Sequence, residues 1–262
     1  MQNKPLIEAV FEIRWVFPPS PNNPFSRDPF FYVHVGKLLP LLIEQFPEVK
    51  SLLPDGVPLP DEVLQKMYHY VLFSANGHLP LVQFGPGVLT VNIGETYEWN
   101  IFQEKLRFVL EQLYKSHPTP QSFSPKRLLL KYLNFFECSY KNNRVIDYIK
   151  DKLKLGILLP DDLFATDLIS NDLHSFGFFW QYPCFDGKKK CIGNMTFSIN
   201  AGEKDRKQGF FMEIGVQTQN DLNPILSPNN VPDISNWVVL AHDVIERCFF
   251  TIIKEIEEEL DK

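Results

Sequence analysis

An α+β fold is predicted, in which a curved antiparallel sheet carries long helices on one face and is assembled from two similar halves. Three observations predict it. Residues 6–17 alternate strictly, with Ile7, Ala9, Phe11, Ile13, Trp15 and Phe17 on one side of a strand. Two helical stripes, Trp99-Phe102-Leu106-Leu110 and Trp237-Leu240-Val244-Cys248, share one pattern of three-and-four spacing. Each stripe follows a run of strand patterns, and each half opens with a strand just after a proline, Pro5 or Pro125. The unit is strand, helix, three strands, long helix, used twice: residues 1–120 form the N-terminal half and 121–262 the C-terminal half.

The elements follow in order. After the strand at 6–17, Pro18, Pro19, Pro21 and Pro24 make an irregular connector. A helix opens at Asp28 or Pro29 and runs through Phe46, with Pro40 as a point of kinking. Residues 51–60 are a proline-rich loop. Strands at 67–74, 79–84 and 88–93 are separated by Asn76-Gly77 and by Gly85-Pro86-Gly87. Thr96 is the expected N-cap of the Trp99 helix. Residues 117–125 hold three prolines and read as a linker between the halves. The second half gives a strand at 128–138, a short helix at 144–155 and a loop around 159–162. Strands follow at 175–183, 190–200 and 209–218. Asp186-Gly187 turns the first pair and a longer polar loop, 202–208, turns the second. Residues 220–232 are irregular, and the last helix spans about 233–260.

Composition narrows the function classes. The chain has 262 residues, enough to bury a sizeable core without a staple. Its 23 Phe suit broad sheet faces beneath covering helices. The net charge of −6 disfavours nucleic acid, whose binders draw affinity from Lys and Arg that displace phosphate counterions. No apolar run approaches the ~20 residues of a membrane-spanning helix. The first residues lead straight into a strand pattern, so a cytoplasmic chain with reduced thiols at its 4 Cys is expected.

The residues that could carry chemistry are few. Glu8, Glu12 and Arg14 share the polar face of the first strand, where carboxylates and a cation could bind a polar ligand. Glu8 and Glu12 are four residues apart, or roughly 13 Å along a strand, too far to act together on one bond. The competing reading is a face of cross-strand ion pairs. Lys131 is a candidate partner for Glu8 or Glu12 if the strands at 6–17 and 128–138 are neighbours. Asn134 lies on the opposite face from Lys131, shares its own face with Tyr132, and needs partners if buried. His242 lies near the Trp237 stripe, as a ligand or base or as a plain helix-face histidine. Cys184 and Cys191 flank a turn with only His174 nearby, so reduced thiols are expected rather than a metal site. The basic loops at 188–190 and 204–207 should fall at opposite ends of the sheet. Glu255, Glu257, Glu258 and Glu259 oppose the dipole of the last helix, as a frayed end or a contact for a basic partner. No nucleophile elbow, phosphate-binding glycine loop or H-E-x-x-H pattern is present.

The opening Pro5-Leu6-Ile7-Glu8-Ala9-Val10-Phe11-Glu12-Ile13-Arg14 resembles the P-[IL]-x-E-A-V-x-E-[IL]-R motif of an uncharacterised, sporadically distributed bacterial family. Leu130-Lys131-Tyr132-Leu133-Asn134 resembles that family's mid-chain L-R-Y-[IL]-N strand, with lysine in place of arginine. The resemblance implies no established activity, although patchy distribution suits mobile, defence or toxin–antitoxin cassettes. The predicted architecture is similar to the saddle of the TATA-box-binding protein, with a helix-grip fold as the alternative. The expected function is a non-catalytic, protein-binding adaptor without cofactor or metal. A homodimer is open. The alternatives are nucleic-acid binding on a concave sheet face, or a small apolar ligand in a helix-grip cavity.

Overall fold

The computed structural model describes residues 5–15, 28, 30–54, 56, 58–75, 79–94, 96–120, 123, 125–140, 144–156, 174–188, 190–218 and 231–254. Strand β1 (Leu6–Trp15) leads to helix α1 (Phe31–Leu42), short strand β2 (Glu48–Ser51) and one turn of helix, α2 (Asp61–Leu64). The meander β3 (Tyr70–Phe73), β4 (Leu81–Gly85) and β5 (Val88–Ile93) then runs into α3 (Trp99–Ser116). The rest is β6 (Pro125–Glu137), α4 (Arg144–Asp151), β7 (Gly177–Phe185), β8 (Cys191–Lys204), β9 (Lys207–Gln217) and α5 (Val231–Ile253).

The described strands form one open antiparallel sheet in the order β2-β3-β4-β5-β1-β6-β9-β8-β7. β1 and β6 pair at its centre, with Phe11 opposite Leu130 and Ile13 opposite Leu128. Outside them lie β5, β4 and β3 on one flank and β9, β8 and β7 on the other. The alternation legible in β1 fixes which face is buried. Ala9, Phe11, Ile13 and Trp15 are within the core, together with Leu128 and Leu130 of β6 and Met212 and Ile214 of β9.

The helices cover this face. Phe31 of α1 stacks on Phe84 of β4 at 5.4 Å, and Tyr148 of α4 meets Phe210 of β9 at 5.9 Å. α3 packs on β5, and α5 on β6, β8 and β9. Phe102, Leu106, Leu110 and Leu113 of α3 are buried at the spacing the sequence shows. Each contributes about 1.5–3 kcal/mol of apolar burial, so Leu110→Ala should cost about 2–5 kcal/mol. α3 and α5 run antiparallel: Trp99, at the start of α3, meets His242, while Arg107 lies near Ser235, at the start of α5. Among the described residues no helix is long and apolar enough to cross a membrane.

Several local expectations are corrected. Thr96 does not cap α3: the chain turns at 94–97, closed by Tyr97 N–H to Gly94 O at 2.9 Å, and the extended residue before the helix is Glu98. The 202–208 segment is no loop. β8 and β9 pair out to Lys204↔Lys207, and Asp205 and Arg206 make the turn with φ of 52° and 64°. β2 and α2 flank the 51–60 loop in residues for which no element was expected, β2 overlapping the loop at Ser51. β2 was missed because it is four residues of mostly exposed side chains with no apolar face. The 117–125 linker contributes Phe123 to the core, packed on Trp15 at 5.3 Å. α1 begins at Phe31, later than expected, and α5 at Val231, earlier than expected because Pro232 fits a first helical turn. The buried stripe of α5 includes Ile234, Trp237, Val238, Ala241 and Ile245, turned by about one residue from Leu240-Val244-Cys248. The loop at 159–162, most of the irregular stretch 220–232 and Glu255, Glu257, Glu258 and Glu259 lie outside the described residues.

Candidate functional site

The singled-out residues separate onto the two faces of the sheet. Glu8, Glu12, Arg14 and Lys131 lie on the face away from the helices; Asn134 and His242 meet on the helix side.

On the first face, period two brings Glu12 into line with its neighbours. Arg14 grips its carboxylate with two contacts, Nε at 2.7 Å and Nη2 at 3.0 Å. Tyr68 OH donates to Glu12 Oε2 at 3.0 Å, and Arg127 Nη2 stands 3.5 Å from Oε1. Burial raises the Glu12 carboxyl, but Arg14, Tyr68 and Arg127 together outweigh it and hold the group below the usual carboxylate range. Glu8 takes a separate partner, accepting from Asn92 Nδ2 at 2.7 Å. The strands at 6–17 and 128–138 are neighbours, but Lys131 pairs with neither glutamate. It sits opposite Val10 and reaches sideways to Glu213 of β9 at 2.8 Å. This face therefore combines a same-strand pair, Glu12 with Arg14, with cross-strand contacts from Asn92 to Glu8 and from Lys131 to Glu213. Cys184 and Cys191 are free thiols, and no metal-holding cluster occurs among the described residues. Lys188 and Lys190 precede β8 and Asp205 and Arg206 follow it, so the described parts of the two basic segments lie at opposite ends of that strand.

On the helix side lies a cavity of about 410 Å³. Its floor is Tyr132 and Asn134 of β6 with Ile214 of β9; α5 supplies one wall through His242, Glu246, Phe249 and Phe250. Glu98 and Trp99 stand at the start of α3, and Pro5 and Leu6 at the start of β1. The site thus draws on both ends of the chain and on the sheet centre.

A polar chain crosses this apolar space. Tyr97 OH and Tyr132 OH are 2.6 Å apart, and Tyr132 OH is 2.7 Å from His242 Nδ1. The His242 ring stacks on Trp99 with centroids 3.7 Å apart and planes 18° from parallel. Its Nε2 stands 3.9 Å from Glu246 Oε1, one helical turn on. Burial pushes both phenols up and lowers the His242 imidazole, with Glu246 and Asp243 pulling the other way. The neutral ring can accept from Tyr132 at Nδ1 and offer Nε2–H to the cavity, or donate from Nδ1 and accept at Nε2. Asn134 is 2% exposed and donates from Nδ2 to Met212 O at 3.4 Å.

Sequence reasoning reached His242, Asn134 and the shared face of Tyr132 and Asn134. It missed Tyr97, Trp99 as a stacking partner, and Glu246. The spacing from His242 to Glu246, one helical turn, was the available signal. Tyr97 sits in an irregular turn and gave none.

No protein-family model matches the chain, and no curated protein matches it. Among solved structures it is similar to the di-domain ARO/CYC StfQ from the steffimycin biosynthetic pathway, at 8% identity and a TM-score of 0.24, over 98% of this chain and 100% of that one. A likeness so slight carries neither a shared fold nor a shared activity.

Proposed function

We propose that the chain is a ligand-binding protein whose helix-side cavity holds a small, largely apolar molecule with one hydrogen-bonding group. The observation that carries this reading is the Tyr97–Tyr132–His242 chain, set in an apolar cavity of about 410 Å³. That volume falls in the range of small-molecule sites, which pair apolar walls with a few placed polar groups. Buried polar chains are costly unless satisfied, so one ending beside an open space suits a ligand better than a core.

The same reading takes residues 1–120 and 121–262 as two copies of one unit in a saddle. It is supported by the central pairing of β1 with β6, the meander on each flank, and antiparallel α3 and α5. The cavity then lies where the halves meet. A helix-grip description fits the long α5 laid over the sheet. Membership in the bacterial family with the L-[RK]-Y-[IL]-N strand belongs to this proposal too, since in this chain that strand brings Tyr132 and Asn134 to the cavity floor. Leu6→Trp, which adds bulk at a residue lining the cavity, tests the reading by thermal shift against small aromatic compounds. Binding by the parent chain and its loss in the variant are expected; compounds that stabilise both equally would defeat the proposal.

An adaptor role is the second reading. β7 ends the sheet and exposes Phe179, Tyr182 and Phe185, at 64%, 55% and 52%. Such an edge can receive a strand from a partner protein. A partner whose capture survives Phe179→Lys and Phe185→Lys together would place docking elsewhere.

A further inference from the structure

We infer that the ligand of the helix-side cavity is an organic cation, a primary or substituted amine on an apolar body. This rests on the reading of the cavity as a binding site and names the chemistry it selects.

The first observation is charge. The ionisable acids lining the cavity are Glu98 and Glu246, and neither lysine nor arginine lines it among the described residues. On the opposite face several carboxylates hold cations: Glu12 has Arg14 and Arg127, Glu213 has Lys131, and Glu137 has Lys207. Glu246 stands 3.9 Å from His242, whose burial favours the uncharged ring. An anion entering here would meet two carboxylates with no lysine or arginine among the described lining residues, whereas a cation would be attracted to both.

The second observation is the shape of the aromatic walls. Phe249 and Phe250 meet at 5.4 Å with planes 77° apart, and Tyr97 and Tyr132 at 5.3 Å with planes 62° apart. These four rings line one space together with Trp99, which is stacked on His242. Ring faces carry negative potential and attract ammonium groups, more strongly where water is excluded. A bare ammonium would leave most of about 410 Å³ empty, so the cation needs an apolar body. The imidazole Nε2 and the tyrosine oxygens supply acceptors for ammonium N–H groups. The chain's net charge of −6 also favours the approach of a cation.

Three probes of matched size test this by calorimetry on the full chain: 2-phenylethylamine, 2-phenylethanol and phenylacetate. The amine should bind about tenfold more tightly than the alcohol, a gap of the size expected from a cation–π site with a nearby carboxylate, and phenylacetate should not bind. Glu246 is half exposed, so Glu246→Gln should fold; it should weaken the amine about fivefold and leave the alcohol unchanged. Alcohol binding equal to the amine, or tightest binding by phenylacetate, overturns the inference and leaves the cavity reading intact. If none of the three binds at millimolar concentration, both fall.

Discussion

His34 is enclosed by α1, α3 and the sheet and is 0% exposed. Its Nε2 is committed to Ser116 Oγ at 2.9 Å and Leu113 O at 3.2 Å, while Nδ1 has no partner. Protonation would place a cation there without an acceptor, so burial, followed by the charge of His117 and the more distant Lys37, lowers its pKa to about 3. The unfolded chain takes up that proton near pH 6.5, so stability is full above that value and falls as pH drops toward about 3. At pH 4.5 the loss from this residue should be about 2–3 kcal/mol, and His34→Gln should remove it from the difference between urea midpoints at pH 7 and pH 4.5. An unchanged difference would contradict the assignment. His117, lowered in the same direction by burial, continues the slope in the variant at reduced size. At this scale the sequence was informative where period two operates. Glu8, Glu12 and Arg14 share a face because a strand cannot arrange them otherwise. It was silent where partners come from afar: Tyr68 reaches Glu12 across 56 residues and Tyr132 reaches His242 across 110. No local pattern encodes such pairs.

The elements were legible in proportion to their apolar patterning. β1, β5, α3 and the meander β7 to β9 announce themselves through alternation or three-and-four spacing. β2 has four residues and nothing to bury, so only its pairing with β3 makes it a strand. The β8–β9 hairpin was misread because its turn contains no glycine: Asp205 and Arg206 hold left-handed backbone that most residues avoid, and the pairing of two long strands sustains it. Both residues are exposed, so the cost can be relieved without touching the core. Arg206→Gly should raise stability by about 0.5–1 kcal/mol in urea titration. A loss instead would mean that Arg206 makes contacts worth more than its backbone strain. The register of α5 shows how burial can overrule a plausible stripe. The row from Leu240 to Cys248 is apolar enough, yet the buried side runs through Trp237, Ala241 and Ile245, and His242 beside it stacks on Trp99.

At the scale of the whole molecule, the two flanks depend on one seam. β1 and β6 pair along almost all of β1, from Leu6↔Asn134 to Trp15↔Pro125, and each is the inner edge of its own half. Separating the halves would expose two long unpaired edges with apolar faces, which invite re-pairing. Residues 1–120 and 121–262, expressed separately, should each give poorly dispersed amide spectra and regain dispersion when mixed. Independent folding of both would argue against a shared core. Most of the elements could be read in order along the chain but the sheet order could not, because nothing local says that residues about 120 apart in the chain become neighbours. The cavity was illegible for the same reason: Pro5, Trp99, Tyr132 and His242 come from four distant stretches.

The four tryptophans offer the most direct test of where a ligand sits. Trp15 and Trp237 lie in the core, Trp237 with its Nε1–H bonded to Ile192 O at 2.9 Å, and Trp180 lies on outer strand β7; Trp99 lines the cavity. In a titration with 2-phenylethylamine followed by ¹⁵N–¹H spectra of the indole groups, the Trp99 resonance should move and saturate while the other three stay in place. Saturable movement of the Trp180 resonance with Trp99 unmoved would locate binding on the sheet edge and contradict a helix-side site.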